Sequence, residues 1–332
     1  MQVIIPMAGF GKRLRPHTFS RPKPLVNVAG KPVLGHVLDS LAGLEITELL
    51  CITGYLGEQI EAYVKENYDI PARFFEQTVL NGQSPAVHLC KDAVAGPALL
   101  VFVDTLIEAD LLQLTQETAD VVTFVKEVEN PRRFGVAEVG SDGWVKRLVE
   151  KPDTLEHGNL AVVGFYYVRE ATDLMSAIET QLIQKVQTKG EYYLADAFNI
   201  MLSGGAKMRA EKVAVWEDCG KPETVLNTNR FLLDHGLDNS DQVDRKSCIV
   251  VPPVHIDPSA QIERSVIGPH VTIAAGCRIK DAIIKDSIID EGARVETALL
   301  RGSLIGQDAF VKEHFYSYNV GDSSAVGCSL DD

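Results

Sequence analysis

Residues 7 to 25 read MAGFGKRLRPHTFSRPKPL and carry Lys12, Arg13, Arg15, Arg21 and Lys23. The chain as a whole is acidic, with 46 Asp and Glu against 32 Lys and Arg, and its first carboxylate is Asp39. At that carboxylate frequency so long a gap has odds on the order of a few per thousand. The apolar run QVIIP precedes the loop, and Gly9-x-Gly11 opens it. A glycine-rich turn after a parallel strand puts backbone N–H groups at the strand's carboxyl end, where open α/β sheets bind ligands. Glycines let a phosphate or nucleotide approach the backbone, and Pro16, Pro22 and Pro24 stiffen the segment that holds the cations. No GxxxxGK[ST] occurs here, which excludes a P-loop. Leu14 stands where a dinucleotide fingerprint needs its third glycine.

Two carboxylates invite a second reading. Asp104 follows the apolar run LLVFV, and Asp218 ends VAVWED. Each is expected at a strand's carboxyl end. Carboxylates converging from separate strands hold a divalent cation; singly, each is also a suitable helix cap.

The surrounding periodicities say what positions these groups. QVIIP, ELLCITGY, ARFFEQ and PALLVFVD read as strands. KPVLGHVLDSLAGL, GEQIEAYVKENY and SPAVHLCKDAV read as helices, the first with Val33, Leu34, Val37, Leu38, Leu41 and Leu44 at helical spacing. The alternation predicts a mixed, mostly parallel Rossmann-like α/β sheet covered on both faces. Beyond residue 119 strands dominate (ADVVTFVKEV, GVAEVG, NLAVVGFYYV), and helices over 169–202 and 222–235 close the domain. The polar stretch 236–247 reads as a linker. After it Ile256, Ile262, Ile267, Ile273, Ile279, Ile284, Ile289, Val295, Leu300, Ile305 and Val311 recur every five or six residues. That spacing predicts a β-helix. The expected domains are 1–235, a linker over 236–250, and a short left-handed parallel β-helix with a tail over 251–332.

Composition narrows the classes. A net charge of −14 excludes nonspecific nucleic-acid binding. No apolar run is long enough to span a bilayer, and the N-terminus lacks a charged leader. Cysteines 51, 90, 219, 248, 277 and 328 show no CxxC pairing, so free thiols in the cytoplasm are expected.

The loop AGFGKRLRPHTFSRPKPL resembles the signature AGGxGTRLxPxTxxxPKPL of the sugar-1-phosphate nucleotidyltransferases, with one glycine missing and Lys12 in place of Thr. QTVLNGQSPA, VFVD, RRFGVAEV, EKP, NLAVVGFYYV, GEYYLADA and WEDCGKPETVLNTN match further blocks of that family in order, covering residues 2 to 230. A β-helix follows the catalytic domain in its longer members. The resemblance implies attack of a sugar-1-phosphate oxygen on the α-phosphorus of an NTP, with release of pyrophosphate. It implies Arg13 and Lys23 on the triphosphate, with Ala8, Gly9, Gly11, Lys12, Gln77 and Gly82 around the nucleotide. Lys151 would meet the sugar phosphate, and Gly135, Glu150, Asn159, Gly164 and Glu191 the sugar. Asp104 and Asp218 would hold Mg2+. A Gln77 amide suits the O4 and N3–H edge of uracil or thymine, so dTTP or UTP with glucose-1-phosphate is the expected pair.

Val103 departs from the family's Gly before this Asp, and a branched side chain there is expected to crowd the nucleotide or shift Asp104. This feature and Lys12 favour a non-catalytic, sugar-nucleotide-binding regulatory subunit as the alternative. His255, His270 and His314 raise another, a bifunctional enzyme that also acylates. The open end and exposed face of a β-helix are natural surfaces for a homo-oligomer.

Overall fold

The computed structural model describes residues 1–314 and 316–323; Cys328 lies outside the described residues. By internal contacts the chain forms two compact units, Met1–Thr228 and Asn229–Asp332.

The first unit is built on a nine-stranded mixed sheet. Its centre is β1 (Gln2–Pro6), with β2 (Glu48–Thr53) and β3 (Ala72–Glu76) parallel on one side and β4 (Ala98–Val101) parallel on the other. Val3, Ile4, Ile5, Leu49, Leu50, Cys51 and Ile52 are at most 1% exposed, as expected of strands covered on both faces. Because the chain runs from β1 to β2 on one flank and returns to β4 on the other, a crevice opens at the carboxyl ends of β1 and β4. The glycine loop leaves β1 into that crevice.

Short β5 (Thr105–Glu108) follows β4 after a turn. β6 (Val121–Glu127), β7 (Gly135–Val139), β8 (Val145–Glu150) and β9 (Leu160–Val168) extend the main sheet, with β9 antiparallel to β4, β6 and β7. β10 (Met208–Lys212) runs parallel to β6 on the outer flank, and β11 (Val215–Asp218) pairs antiparallel with β5 outside the main sheet.

The helices are α1 (Val33–Ser40), α2 (Gly57–Asn67), α3 (Gln83–His88), α4 (Ala171–Gln184), α5 (Leu194–Ser203) and α6 (Pro222–Leu232). They supply the apolar faces that bury the sheet. Phe198 of α5 stacks on Tyr166 of β9 with ring centroids 4.7 Å apart, and Phe124 meets Phe165 edge-on. Rings in these geometries add about 0.5–1.5 kcal/mol each beyond area burial.

In the second unit three four-stranded parallel sheets stack coil on coil, forming a left-handed β-helix. Ile279 lies between Ile262 and Val295, with Val311 one coil further. All eleven aliphatic positions of the near-hexad pattern belong to one core or pack against it. Polar residues 236–247 are not a featureless linker. Val254 N–H donates to Asp238, Asn239 exchanges hydrogen bonds with Ile256 in both directions, and the Ser247 hydroxyl donates to the Ile262 carbonyl. These side chains satisfy backbone groups of the first coil that no preceding strand meets.

Candidate active site

The loop after β1 is shaped by its glycines. Gly11 has φ +60°, the left-handed region that favours glycine, and a Cβ there would lie 3.0 Å from both Lys23 Cβ and Thr18 Cγ2. Its carbonyl accepts from Leu14 N–H at 2.9 Å and from the Thr18 hydroxyl at 2.9 Å. Leu14 is buried, so its apolar side chain anchors the loop while Lys12 and Arg13 stay outside. A Cβ on Gly9 would meet nothing within 4 Å; that face is open to the crevice.

Two cavities lie at the crevice and share a wall. The larger, about 510 Å3, is lined by Ala8, Gly9, Gly11, Lys12, Lys23, Gln77, Gly82 and Glu191, among others. The smaller, about 250 Å3, is lined by Gly135, Glu150, Gly164, Phe134, Trp216 and Asp218, among others. Arg13, Gln83, Phe102, Asp104, Lys151 and Tyr193 line both. The wall between the cavities thus carries two cations, one carboxylate and an aromatic hydroxyl.

The β5–β11 ladder places Asp104 at this wall and Asp218 beside it in the smaller cavity: Asp218 pairs with Thr105, and Cys219 N–H donates to the Asp104 carbonyl at 2.8 Å. Lys23 forms an ion pair with Asp104. Burial disfavours the Asp104 carboxylate, but the Lys23 charge and hydrogen bond, with Arg13 behind them, hold its pKa below the ordinary value. Asp218 moves the other way. Burial and then the neighbouring Asp104 charge push it up, against the Gly220 N–H hydrogen bond at 2.8 Å and the charges of Lys23 and Arg13. The opposed shifts show that Lys23 compensates Asp104 first, leaving Asp218 the less compensated of two neighbouring carboxylates. The pair fits one hard divalent cation with its remaining ligands supplied by phosphate oxygens and water, the way Mg2+ is ordinarily held. No group of three or more His, Cys, Asp or Glu able to hold a metal occurs among the described residues. The donor set therefore depends on substrate to complete it.

On the far side of the wall Lys151 has φ +46° and donates to the Tyr193 hydroxyl at 2.7 Å, with Glu150 at 3.5 Å. Burial alone would lower the lysine's pKa; Tyr193 and Glu150 reverse that, and the net shift is upward. Its ammonium is thus firmly charged. Glu150 is raised, first by burial and further by Asp196 and Glu191, with Lys151 opposing. Gly135 stands opposite Glu150 in the β7–β8 ladder, and a Cβ there would lie 3.2 Å from Glu150 Oε2. Gly164, at φ +84°, occupies the register shift of β9 against β6, and its carbonyl accepts from Phe102 N–H. A Cβ at 164 would lie 3.1 Å from the Phe102 side chain that lines both cavities. Phe134 meets Trp216 edge-on at 4.8 Å, and the buried Trp216 Nε1 has no protein acceptor.

The Gln77 side-chain amide donates to the Val79 and Gly82 carbonyls, and its backbone N–H to Thr53. Gly82 packs so closely on Tyr192 that a Cβ would sit 2.4 Å from the Tyr192 carbonyl oxygen. Lys12 lies over the Phe10 ring and Arg15 over Phe19. Asn159 lines neither cavity; it donates to Glu127 on the neighbouring strand at 3.2 Å. Val103 is buried, its backbone is outside the positive-φ region, and it lines the larger cavity beside Asp104. His255 and His270 are engaged by the Leu237 carbonyl and Asp234, and His314 packs on Tyr316.

Sequence reasoning did not single out Gln83, Phe102, Phe134, Tyr193 or Trp216. Tyr193 and Trp216 stand inside the blocks GEYYLADA and WEDCGKPETVLNTN, a signal that was present. Gln83, Phe102 and Phe134 likewise stand inside the blocks QTVLNGQSPA, VFVD and RRFGVAEV.

A cation-rich glycine loop, two strand-end carboxylates and two joined cavities together compose a site suited to phosphate-bearing ligands. A family model described as nucleotidyl transferase matches residues 2–235, and one described as GlmU-like, C-terminal hexapeptide matches residues 240–295. The chain belongs to the nucleotidyl transferase family. It is 33% identical over 234 residues to a "Bifunctional protein GlmU" from Methanocaldococcus jannaschii, covering 70% of this chain and 55% of that protein. A glucose-1-phosphate thymidylyltransferase from Streptomyces griseus is 26% identical over 317 residues, covering 88% of each chain. A solved structure of UDP-glucose pyrophosphorylase complexed with UDP-glucose shares the fold, with a TM-score of 0.63 and 21% identity over 70% of this chain and 98% of that one. The chain spans about half the length of the GlmU relative.

Proposed function

We propose that this protein transfers a nucleotidyl group from dTTP or UTP to a sugar-1-phosphate, preferably glucose-1-phosphate, and releases pyrophosphate. The observation that carries the reading is the shared wall. Arg13, Asp104 and Lys151 line both cavities, so a triphosphate in the larger and a sugar phosphate in the smaller would meet there. The similarity to the Streptomyces griseus thymidylyltransferase, which extends over both units, supports the substrate choice. So does Gln77 at the larger cavity: with its side-chain N–H groups on the Val79 and Gly82 carbonyls, its amide oxygen can accept from the N3–H that uracil and thymine share.

In the reaction an oxygen of the sugar-1-phosphate forms a bond to the α-phosphorus as the bond from that phosphorus to the bridging oxygen breaks. Pyrophosphate leaves with the electron pair. Arg13 and Lys23 hold the triphosphate and offset charge that builds on the equatorial and leaving oxygens. Lys151, oriented by Tyr193, brings the attacking phosphate against its own repulsion from the nucleotide. Glu150 accepts hydrogen bonds from sugar hydroxyls. Gly135 and Gly164 keep the floor of the small cavity free of side chains, and Phe134 and Trp216 form its wall. Mg2+, held by Asp104 and Asp218, would supply electrostatic activation of the phosphate oxygens.

The five cysteines among the described residues that are free are all buried, which suits a reducing compartment, and we place the enzyme in the cytoplasm. No helix among the described residues is long and apolar enough to cross a membrane. We assign assembly as a homo-oligomer to the β-helix. Its sheet over 248–250, 265–267, 283–285 and 299–301 exposes Ile249, Ile283 and Leu299 in one stacked column.

A test is pyrophosphate release across a panel of sugar-1-phosphates and NTPs. The proposal expects the highest kcat/KM for glucose-1-phosphate with dTTP or UTP. Preference for a purine nucleotide, or for an N-acetylated sugar, would overturn the substrate assignment while leaving the reaction.

A further inference from the structure

Lys23 has two duties that conflict. Triphosphate binding needs its ammonium, yet that ammonium is already paired with Asp104, a carboxylate assigned to the metal. The pair is not a solvated surface contact: the side chains are only 17% and 29% exposed, so their attraction is screened far less than that of a surface pair. A parallel arrangement stands beside it. The Cβ position of Gly220 is 2.8 Å from Asp218 Oδ1 and 3.1 Å from Arg13 Nη2, so the second carboxylate and second cation flank the same glycine. Two cations thus stand against two carboxylates.

We propose that Lys23 couples metal binding to nucleotide binding: it is the resident counter-ion of Asp104 and moves to the triphosphate when a divalent cation takes that carboxylate. A divalent cation arriving alone meets a carboxylate whose charge is already compensated, beside an ammonium that repels it. A triphosphate gives that ammonium another anion and brings oxygen ligands of its own. Each ligand therefore favours the other, and by linkage the effect is reciprocal. This inference rests on the catalytic reading and adds a binding order, in which metal and nucleotide load together.

The test is a titration of Mn2+ into the full chain, read calorimetrically without nucleotide and then with dTTP or UTP. It is done on the wild type, Lys23→Ala and Lys12→Ala. Lys12 lines the same cavity but lies over the Phe10 ring instead of a carboxylate, so it controls for loss of charge in general. Lys23→Ala is expected to bind Mn2+ about tenfold more tightly without nucleotide, within the usual range of couplings, and to lose most of the tightening that nucleotide brings. Lys12→Ala is expected to leave Mn2+ affinity unchanged without nucleotide. Unchanged or weaker Mn2+ binding in Lys23→Ala, or an equal shift in both variants, overturns the proposal. Lys23→Gln, which keeps a hydrogen-bond donor and removes the charge, carries the same prediction should the alanine variant fail to fold. A wild type that binds no nucleotide with Mn2+ present would instead sink the catalytic reading. One that binds nucleotide normally, with Lys23→Ala inert toward Mn2+, sinks only the exchange.

Discussion

The two cavities differ in what they ask of a ligand. The larger sets the cations Lys12, Arg13, Lys23 and Lys151 among backbone, glycines and apolar side chains such as Met7, Leu80, Phe102 and Val103. The smaller adds the aromatic rings of Phe134, Tyr166 and Trp216 to the partly buried Glu150, Arg133 and Asp218, so ring surfaces stand beside charged groups there. A triphosphate is the same object whichever base it carries, and a charged loop serves for it. Sugars differ by the orientation of single hydroxyls, which only a close-fitting wall detects. Under the proposed function, the cations that serve every substrate and the aromatic wall that would select the sugar are therefore different residues.

Breaking the charged side should affect all substrates alike. Arg13→Ala is expected to lower kcat/KM by about 10^2 to 10^3 for every sugar and nucleotide tested, the loss typical of one preorganised electrostatic contact. A loss confined to one sugar would place Arg13 on the selective side. Breaking the shaped side should do the opposite. Trp216→Ala is expected to raise KM for the preferred sugar about tenfold, worth roughly 1.4 kcal/mol, and to narrow its advantage over other sugars. Nucleotide KM should stay within about twofold; a large rise there would contradict the division, given that one pK unit or decade is about 1.4 kcal/mol.

Glycines sharpen the comparison further. Gly9→Ala places a methyl group in open crevice, whereas Gly11→Ala forces a strained φ against Lys23 and Thr18. Gly9→Ala is expected to weaken nucleotide binding several-fold at unchanged thermal stability. Gly11→Ala is expected to cost about 1–2 kcal/mol of stability, measured by denaturant unfolding. Equal stability in the two variants would contradict the role given to the turn.

The smallest effect concerns pH. Burial raises the Glu150 pKa in the folded chain. The folded state therefore holds this proton more tightly than the unfolded chain does. The resulting stabilisation is full below the unfolded value and disappears as pH rises through the raised, folded one. At neutral pH ionised Glu150 is a cost, so Glu150→Gln should be slightly more stable there, with the advantage shrinking in acid. The KM for sugar-1-phosphate should rise as pH falls through the raised value, because the carboxylate is the better acceptor. In Glu150→Gln that rise should vanish, a difference steady-state kinetics over pH 4–8 would read, within the range where carboxylates titrate in proteins.

Much of this was legible in the sequence because local pattern dictates it. QVIIP is β1, the α1 leucines and valines are buried, and every aliphatic of the near-hexad run lies in the β-helix core or packs against it. Repetition makes that core redundant: each coil states the same rule again. The site is legible only in its blocks. Arg13, Lys23, Asp104 and Lys151 carry charge and stand out in an apolar or glycine-rich context. The proximity of Asp104 and Asp218 depends on a two-stranded ladder between segments far apart in the chain; VAVWED read as a strand, but β5 gave no separate periodic signal. Trp216 and Phe134 read as ordinary core residues until the fold brings them to one wall. Asn159 shows the converse: a polar residue in a matched block can pair with a neighbouring strand away from both cavities. The segment 236–247 was polar because it caps a coil, a use that composition does not distinguish from a linker.

The most direct test of the shared wall is pyrophosphate release with glucose-1-phosphate, dTTP or UTP, and Mg2+, comparing wild type with Asp104→Ala, while nucleotide binding is followed calorimetrically. Turnover in the wild type, lost in the variant, is the predicted result. Nucleotide binding without turnover in the wild type would contradict it and assign the site to a binding-only, regulatory protein.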